Sequence, residues 1–208
     1  MIAYLTKAEI DYETAVKRQL KDSYAWHQKV WEAFPERDKE SRNFLTRVDD
    51  IDSGFRLLIL SMSIPTRPDW CPTDNWKTKE MPDTFLNAEQ FNFSLVANAT
   101  EKKVIRNENG ERKKNGKRIP IVGEENLTAW MLRKCSQHGF TIAETQLRIT
   151  PMPRQYFMKK RKSGLHAATH FQGLLKVTDK ELFLKTLTTG IGTAKAFGFG
   201  MLCLSPIK

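Results

Sequence analysis

Cysteine is scarce in this chain, and its placement excludes more than its number does. Cys71, Cys135 and Cys203 lie far apart, are odd in number and form no Cys-x-x-Cys pair. Neither a zinc ribbon nor a disulfide framework is supported, and a reduced, intracellular setting fits that usage. No apolar run approaches the length of a membrane span. The opening MIAYLTKAEI lacks the long apolar core and cleavage site of a signal peptide. A soluble cytoplasmic protein with no membrane partner is therefore expected. Histidine is also rare, with four in the chain. Of these, His166 and His170 stand four apart in a strand or hairpin arm and would face one side, yet no carboxylate or thiolate lies near to complete a zinc site. His138 sits at a helix end, where a cation is favoured by the dipole.

Acidic residues are missing from one half rather than from the whole. Residues 1–100 hold 13 Lys and Arg against 16 Asp and Glu, a net of −3, whereas residues 101–208 hold 21 against 8, a net of +13. Charge so divided points to a polyanion bound mainly by the second half. Hydrophobic residues at 40% and charged residues at 28% allow a real core, and 208 residues suit one large domain or two of about 100 residues each.

The pattern along the chain predicts a strand over Ile2–Ile10 and a helix from Asp11 to Phe34, strongest after Asp22, where Ala25, Trp26, Val30 and Phe34 recur at helical spacing. Strands follow at Asn43–Val48 and Phe55–Ile64, then a Pro- and Trp-rich loop over Pro65–Pro82 that has room for a short helix. The second half repeats the order. Gln90–Ala99 alternates as a strand, Glu124–His138 is an amphipathic helix stopped by Gly139, and Phe140–Ile149, Gln155–Lys159 and Ala168–Val177 read as strands. Thr178 and Asp179 cap a last helix over Lys180–Thr189, and Met201–Leu204 closes the chain as a strand. Each half is then a βαββαβ unit, the ferredoxin-like arrangement. An α+β protein of two tandem ferredoxin-like domains, 1–88 and 89–208, is expected.

Near the end stands Gly190-Ile-Gly-Thr-Ala-Lys-Ala-Phe-Gly-Phe-Gly200. It is no Walker A loop, because Lys195 lies between alanines, and no Rossmann fingerprint, because it follows a helix and precedes the final strand. Two local readings stay open. Gly190, Gly192, Gly198 and Gly200 either permit tight packing of a helix end and a strand, or let backbone amides and Lys195 approach an RNA backbone.

GIGTAKAFGFG matches the pattern Gly-hydrophobic-Gly-x5-Gly-hydrophobic-Gly found near the C-terminus of RAMP-superfamily proteins of CRISPR systems. With HFQGLLKVTDKELFLKTLTTG before it, it resembles the CasE family, the crRNA-processing endoribonucleases of the type I-E (Cascade) system. SYAWHQKVWEAFP, RNFLTRVDD and GKRIPIVGEENLTAWMLRK also resemble that family, so the likeness covers essentially the whole chain. The resemblance implies tandem ferredoxin-like domains, cleavage of precursor CRISPR RNA at the 3′ base of the repeat stem-loop, no metal and no cofactor. It implies retention of the hairpin product and assembly with other Cascade subunits. It also places the catalytic histidine at His27 and a participating tyrosine at Tyr24.

The chemistry agrees. Metal-free cleavage turns the ribose 2′-OH on its own phosphate, and a histidine can serve as base or acid near neutrality. Tyr24 and His27 are three apart, on one helix face. Some members carry a lysine about a turn beyond the histidine, where this chain has Trp31 and Glu32, so a phosphorane-stabilising cation must be Lys29 or come from elsewhere. Arg148–Lys162 has six basic residues, Arg154 among them, and no acid. Its end, Lys159, Lys160, Arg161 and Lys162, reads as a β-hairpin tip, matching the family's basic hairpin that reaches into the RNA stem. A second stretch, Lys102–Arg118, contains Lys113, Lys114 and Arg118 and contacts either RNA or other proteins. Two rivals remain at this level: a non-catalytic RNA-hairpin-binding subunit of the same superfamily, and a general RNA-binding protein.

Overall fold

A computed structural model describes residues 3–36, 42–104, 106, 110–111, 116–159 and 162–207. The first strand, β1 (Tyr4–Asp11), ends on a residue that also starts a helix. Asp11 Oδ1 accepts from the Thr14 N–H and caps α1 (Tyr12–Lys17). The apolar spacing predicts one helix from Asp11 to Phe34; the structure divides it. Gln19 takes a left-handed conformation (φ 54°), Leu20 turns into the core, and Asp22 caps a new helix, α2 (Ser23–Val30), followed by a 3-10 turn over Trp31–Ala33. Each such cap contributes roughly 0.5–2 kcal/mol. Two capping aspartates outweigh the continuous helical pattern.

The strands β2 (Phe44–Ile51), β3 (Gly54–Ser61) and β4 (Trp76–Glu80) complete the first sheet, in the order β2-β3-β1-β4 with every neighbour antiparallel. β4 lies within the stretch expected to be loop. It is an edge strand whose residues are mostly exposed, so Trp-Lys-Thr-Lys-Glu shows no apolar face to read. A short helix, α3 (Asp83–Leu86), leads into the second half.

There β5 (Gln90–Asn98) is followed by a hairpin of β6 (Thr100–Lys103) and β7 (Lys117–Pro120), then by α4 (Glu124–Gln137). The expected strand Phe140–Ile149 is two pieces, β8 (Phe140–Ile142) and β9 (Arg148–Pro151), with a 3-10 turn over Glu144–Gln146 between them. The turn presses on the neighbouring strand, where a Cβ at Gly173 would lie 2.6 Å from the Gln146 carbonyl oxygen. A second hairpin, β10 (Gln155–Lys159) with β11 (Lys162–His166), precedes β12 (Ala168–Val177), α5 (Lys180–Thr189) and β13 (Leu202–Pro206). The sheet order is β13-β5-β12-β8, with β9 also on β12. This is a mixed α/β protein built on two antiparallel sheets.

The strand β3 shows how the halves join. Leu57 and Ile59 face a core with Trp26, Val30 and Phe34 of the helical segment. Leu58 and Leu60 face the opposite way, into a larger core with Phe91, Phe93, Trp130, Phe171 and Phe183. Strand alternation thus gives one sheet to two cores. No helix among the described residues is long and apolar enough to cross a membrane.

Candidate active site

α2 presents Tyr24 and His27 to the glycine-rich segment. Both rings meet Phe197, at centroid distances of 6.4 Å and 5.9 Å. His27 Nε2 accepts a hydrogen bond from the Trp31 indole N–H at 3.3 Å, and the Tyr24 hydroxyl accepts one from Gln28 Nε2 at 3.3 Å. His27 lines a cleft of about 330 Å³ with Lys21, Arg47, Tyr156, Phe197 and Phe199. Its floor ties the two sheets together. Arg47 Nε donates to Asp49 Oδ1 at 2.7 Å, Arg47 Nη1 donates to Ser94 Oγ at 2.7 Å, and Ser94 Oγ bonds His170 Nε2 at 2.7 Å.

The glycines close this wall. Gly190 (φ 70°) ends α5, and the Ile191 N–H donates to the Gly200 carbonyl at 2.9 Å. A Cβ on Gly190 would lie 2.8 Å from the Gly200 oxygen, and one on Gly200 (φ 84°) 2.3 Å from the Ile191 oxygen. Only glycine fits there. Gly192 sits beside the Trp130 ring, and Gly198 borders the cleft. Between them Ala194 is left-handed (φ 57°) and opens the short turn Lys195–Phe197.

The hairpin β10–β11 is docked on the same helix. Asp22 caps α2 through Oδ1 (Ala25 N–H, 2.8 Å) and accepts from the Met158 N–H through Oδ2 (3.2 Å). Phe157 packs 4.9 Å from Phe197 and stacks on His166 at 4.6 Å; His166 also meets Phe197 and Phe199. One aromatic cluster therefore joins hairpin, helix and glycine-rich segment.

A family profile described as CRISPR associated protein matches residues 3–206. The chain belongs to that CRISPR-associated family. It is similar to the CRISPR system Cascade subunit CasE of Escherichia coli K12, 29% identical over 191 residues, covering 90% of this chain and 94% of that one. It is also similar to the CRISPR-associated endoribonuclease Cse3 of Thermus thermophilus, 25% identical with 98% and 100% covered. Among solved structures, the crystal structure of Cas6e from Escherichia coli K-12 superposes with a TM-score of 0.76 at 26% identity, covering 98% and 100%.

The described residues expected to bind RNA fall in four places in this family member. Lys159 and Lys162 are paired at the ends of β10 and β11, while Lys160 and Arg161 lie outside the described residues. Arg154 is exposed just before β10. Arg118 is exposed on β7 and lines a second cleft of about 390 Å³ with Lys102, Arg133 and Lys134; Lys113 and Lys114 lie outside the described residues. Lys195 donates to the Gly190 carbonyl at 3.5 Å, and burial, then the nearby Arg42, lowers its pKa. Lys29 is not brought to the cleft. Its ammonium pairs with Glu32 at 2.7 Å, and it is absent from the cleft lining. Among the described residues the cations lining the cleft with His27 are Lys21 and Arg47, neither of which the sequence singled out, and Arg47 is itself paired with Asp49. Among the described residues no three His, Cys, Asp or Glu converge as a metal-binding group.

His166 and His170 do not share a side. The strand breaks at Ala167, whose N–H donates to Asn98 Oδ1, and the two rings go to different partners. His166 is 7% exposed, and its Nε2 has no hydrogen-bond partner. Burial lowers its pKa. The folded state thus refuses a proton that the unfolded chain takes up below about pH 6.5, so stability is lost as pH falls through that value. His138 and His170 are lowered too, also first by burial, and add with the same sign. His166→Phe is expected to keep the aromatic packing and to lessen the loss of stability as pH falls below about 6.5. Thermal melts across that range check it; unchanged pH dependence would assign the loss elsewhere.

Proposed function

We propose that this chain is a metal-independent endoribonuclease that cleaves precursor CRISPR RNA at the 3′ base of the repeat stem-loop. It then stays bound to the mature crRNA as a Cascade subunit in the cytoplasm. The observation that carries this reading is the placement of Tyr24 and His27, in a chain of this family, against the glycine-rich segment, on a helix whose capping Asp22 also holds the basic hairpin. The names of the similar proteins, a Cascade subunit and an endoribonuclease, support it. The two halves, 1–88 and 89–208, are read as ferredoxin-like domains. Their sheet orders support this, since in each the first strand lies between the third and the last. In the first half a proline-rich connection replaces the second helix.

In the reaction the 2′-oxygen bonds phosphorus as the bond to the 5′-oxygen breaks. His27 takes the 2′-OH proton, water supplies one to the leaving oxygen, and the ends are a 2′,3′-cyclic phosphate and a 5′-OH. Tyr24 borders the phosphate, Lys21 supplies positive charge to the cleft, and Arg47, paired with Asp49, braces its wall. The basic hairpin, with Arg154, Lys195 and the Arg118 cleft, holds the stem. A-form RNA hides base edges in a deep, narrow major groove, so shape and phosphates govern recognition.

The test is cleavage of a labelled repeat hairpin in EDTA by the purified chain. Expected are a single cut at the 3′ base of the stem, a cyclic phosphate end, and little competition from an unrelated hairpin. Loss of cleavage in EDTA contradicts metal independence. Tight binding with no cutting under any condition makes the chain a non-catalytic subunit.

A further inference from the structure

We propose that Trp31 is a positioning residue for the reaction, holding His27 as the neutral imidazole with the lone pair on Nε2 and the proton on Nδ1. This rests on His27 being the proton-transfer group, and adds which nitrogen acts and what sets it. An indole N–H can only donate, so the 3.3 Å bond from Trp31 makes Nε2 the acceptor. The geometry follows from the chain. Trp31 is four residues beyond His27 and still helical (φ −61°, ψ −25°), so both side chains share a face.

The indole is not free to turn. It meets the His27 ring edge-on at 6.1 Å and packs at 5.0 Å, again edge-on, against Phe44, which is itself stacked on Phe34 at 4.5 Å. An imidazolium carries protons on both nitrogens and would set N–H against N–H. A hydrogen bond made only to the neutral form disfavours the charged one. The resting ring is thus held ready as a base, and Nε2 exchanges the indole N–H for the ribose 2′-OH when RNA binds. The Trp31 side chain occupies the neighbourhood where similar proteins were expected to place a lysine, so this chain assigns that turn of helix to the imidazole rather than to phosphate charge.

Several titratable groups line the cleft with the ring, Lys21 and Asp22 from the α2 region, Arg47 and Asp50 from β2 and Tyr156 from β10, and Tyr24 shares its contact with Phe197. All are common to the wild type and to Trp31→Phe, which keeps an aromatic ring against Phe44 and deletes the N–H. The difference between their titration curves therefore isolates the indole bond. In the free protein the His27 imidazole midpoint, read by NMR, is expected to rise by roughly 0.5–1 pH unit in Trp31→Phe. Single-turnover cleavage of the repeat hairpin at subsaturating protein, which reports the pKa of the free protein, should fall about fivefold on the acidic limb and stay near wild type on the alkaline plateau.

A midpoint that stays or falls overturns the proposal, and a uniform rate loss at every pH with an unmoved midpoint makes Trp31 merely structural. Nitrogen-15 spectra of the wild type give a check that needs no variant: Nε2 is expected unprotonated at pH 7.5, and the opposite tautomer overturns the assignment. Both NMR readings are independent of cleavage. Failure of the RNA reading therefore shows as an uncut hairpin with the tautomer as stated, whereas failure of this proposal shows in the spectra.

Discussion

Replacing His27 with alanine is expected to lower single-turnover cleavage of the repeat hairpin by about 10²–10⁴-fold, the range that one proton-transfer group supplies. Hairpin affinity should stay near that of the wild type. The side chain is half-buried, touching Phe197 and Trp31, whereas the fully packed positions of α2 are Trp26 and Val30. Alanine keeps the helix, and the Asp22 cap and its bond to Met158 are untouched, so helix and hairpin remain in place. Tyr24→Phe should lose much less. It removes a hydroxyl that already accepts from Gln28 and leaves the ring against Phe197. Rates with protein in excess, together with binding measured separately, divide chemistry from affinity. Unchanged cleavage in His27→Ala would move the reaction away from α2 and sink the assigned site.

What the sequence disclosed, and what it hid, follows from the range of each interaction. Periodicity is local, so β5, α4, β12 and α5 were legible within a residue or two. The capping aspartate at Asp22 was also visible as the point where the helical pattern strengthens. Its second task was not: Oδ2 takes the Met158 N–H across 136 residues, and no local signal announces such a bond. The same holds for the aromatic cluster. Phe157, His166 and Phe197 each look like ordinary hydrophobic or hairpin residues until the fold stacks them. Charge was legible only as a total. The sequence could place a surplus in the second half, but whether a cation faces the site depends on its partner, and Lys29 is claimed by Glu32 as Arg47 is by Asp49 and Ser94. β4 was missed because an exposed edge strand of polar residues carries no alternation to detect.

Replacing Lys159, Lys160, Arg161 and Lys162 together with serine is expected to weaken repeat-hairpin binding by on the order of 10²–10³-fold at moderate salt, and to flatten its salt dependence. Each phosphate that a cation no longer neutralises takes about 0.7–0.9 from the slope of log K against log salt, so the four side chains together account for about 3. The substitution tests binding rather than folding. The hairpin is held from below by Phe157 and His166 against Phe197 and by Asp22, none of which changes, and its arms pair in register from Gln155 opposite His166 to Lys159 opposite Lys162. Four adjacent cations repel one another, so a melting temperature equal to or above the wild type is expected. Titrations at several salt concentrations check the slope. An affinity loss with the slope unchanged would mean that the tip does not meet phosphates. At protein concentrations high enough to saturate the RNA, the cleavage rate should return close to wild type, because the proton-transfer group sits on α2. A rate that stays low at saturation would make the tip part of the chemistry, by bending the base of the stem into the cleft. On the proposed function gripping and cutting are carried by different elements, and Asp22, bonded to both α2 and the hairpin, is where those elements are joined.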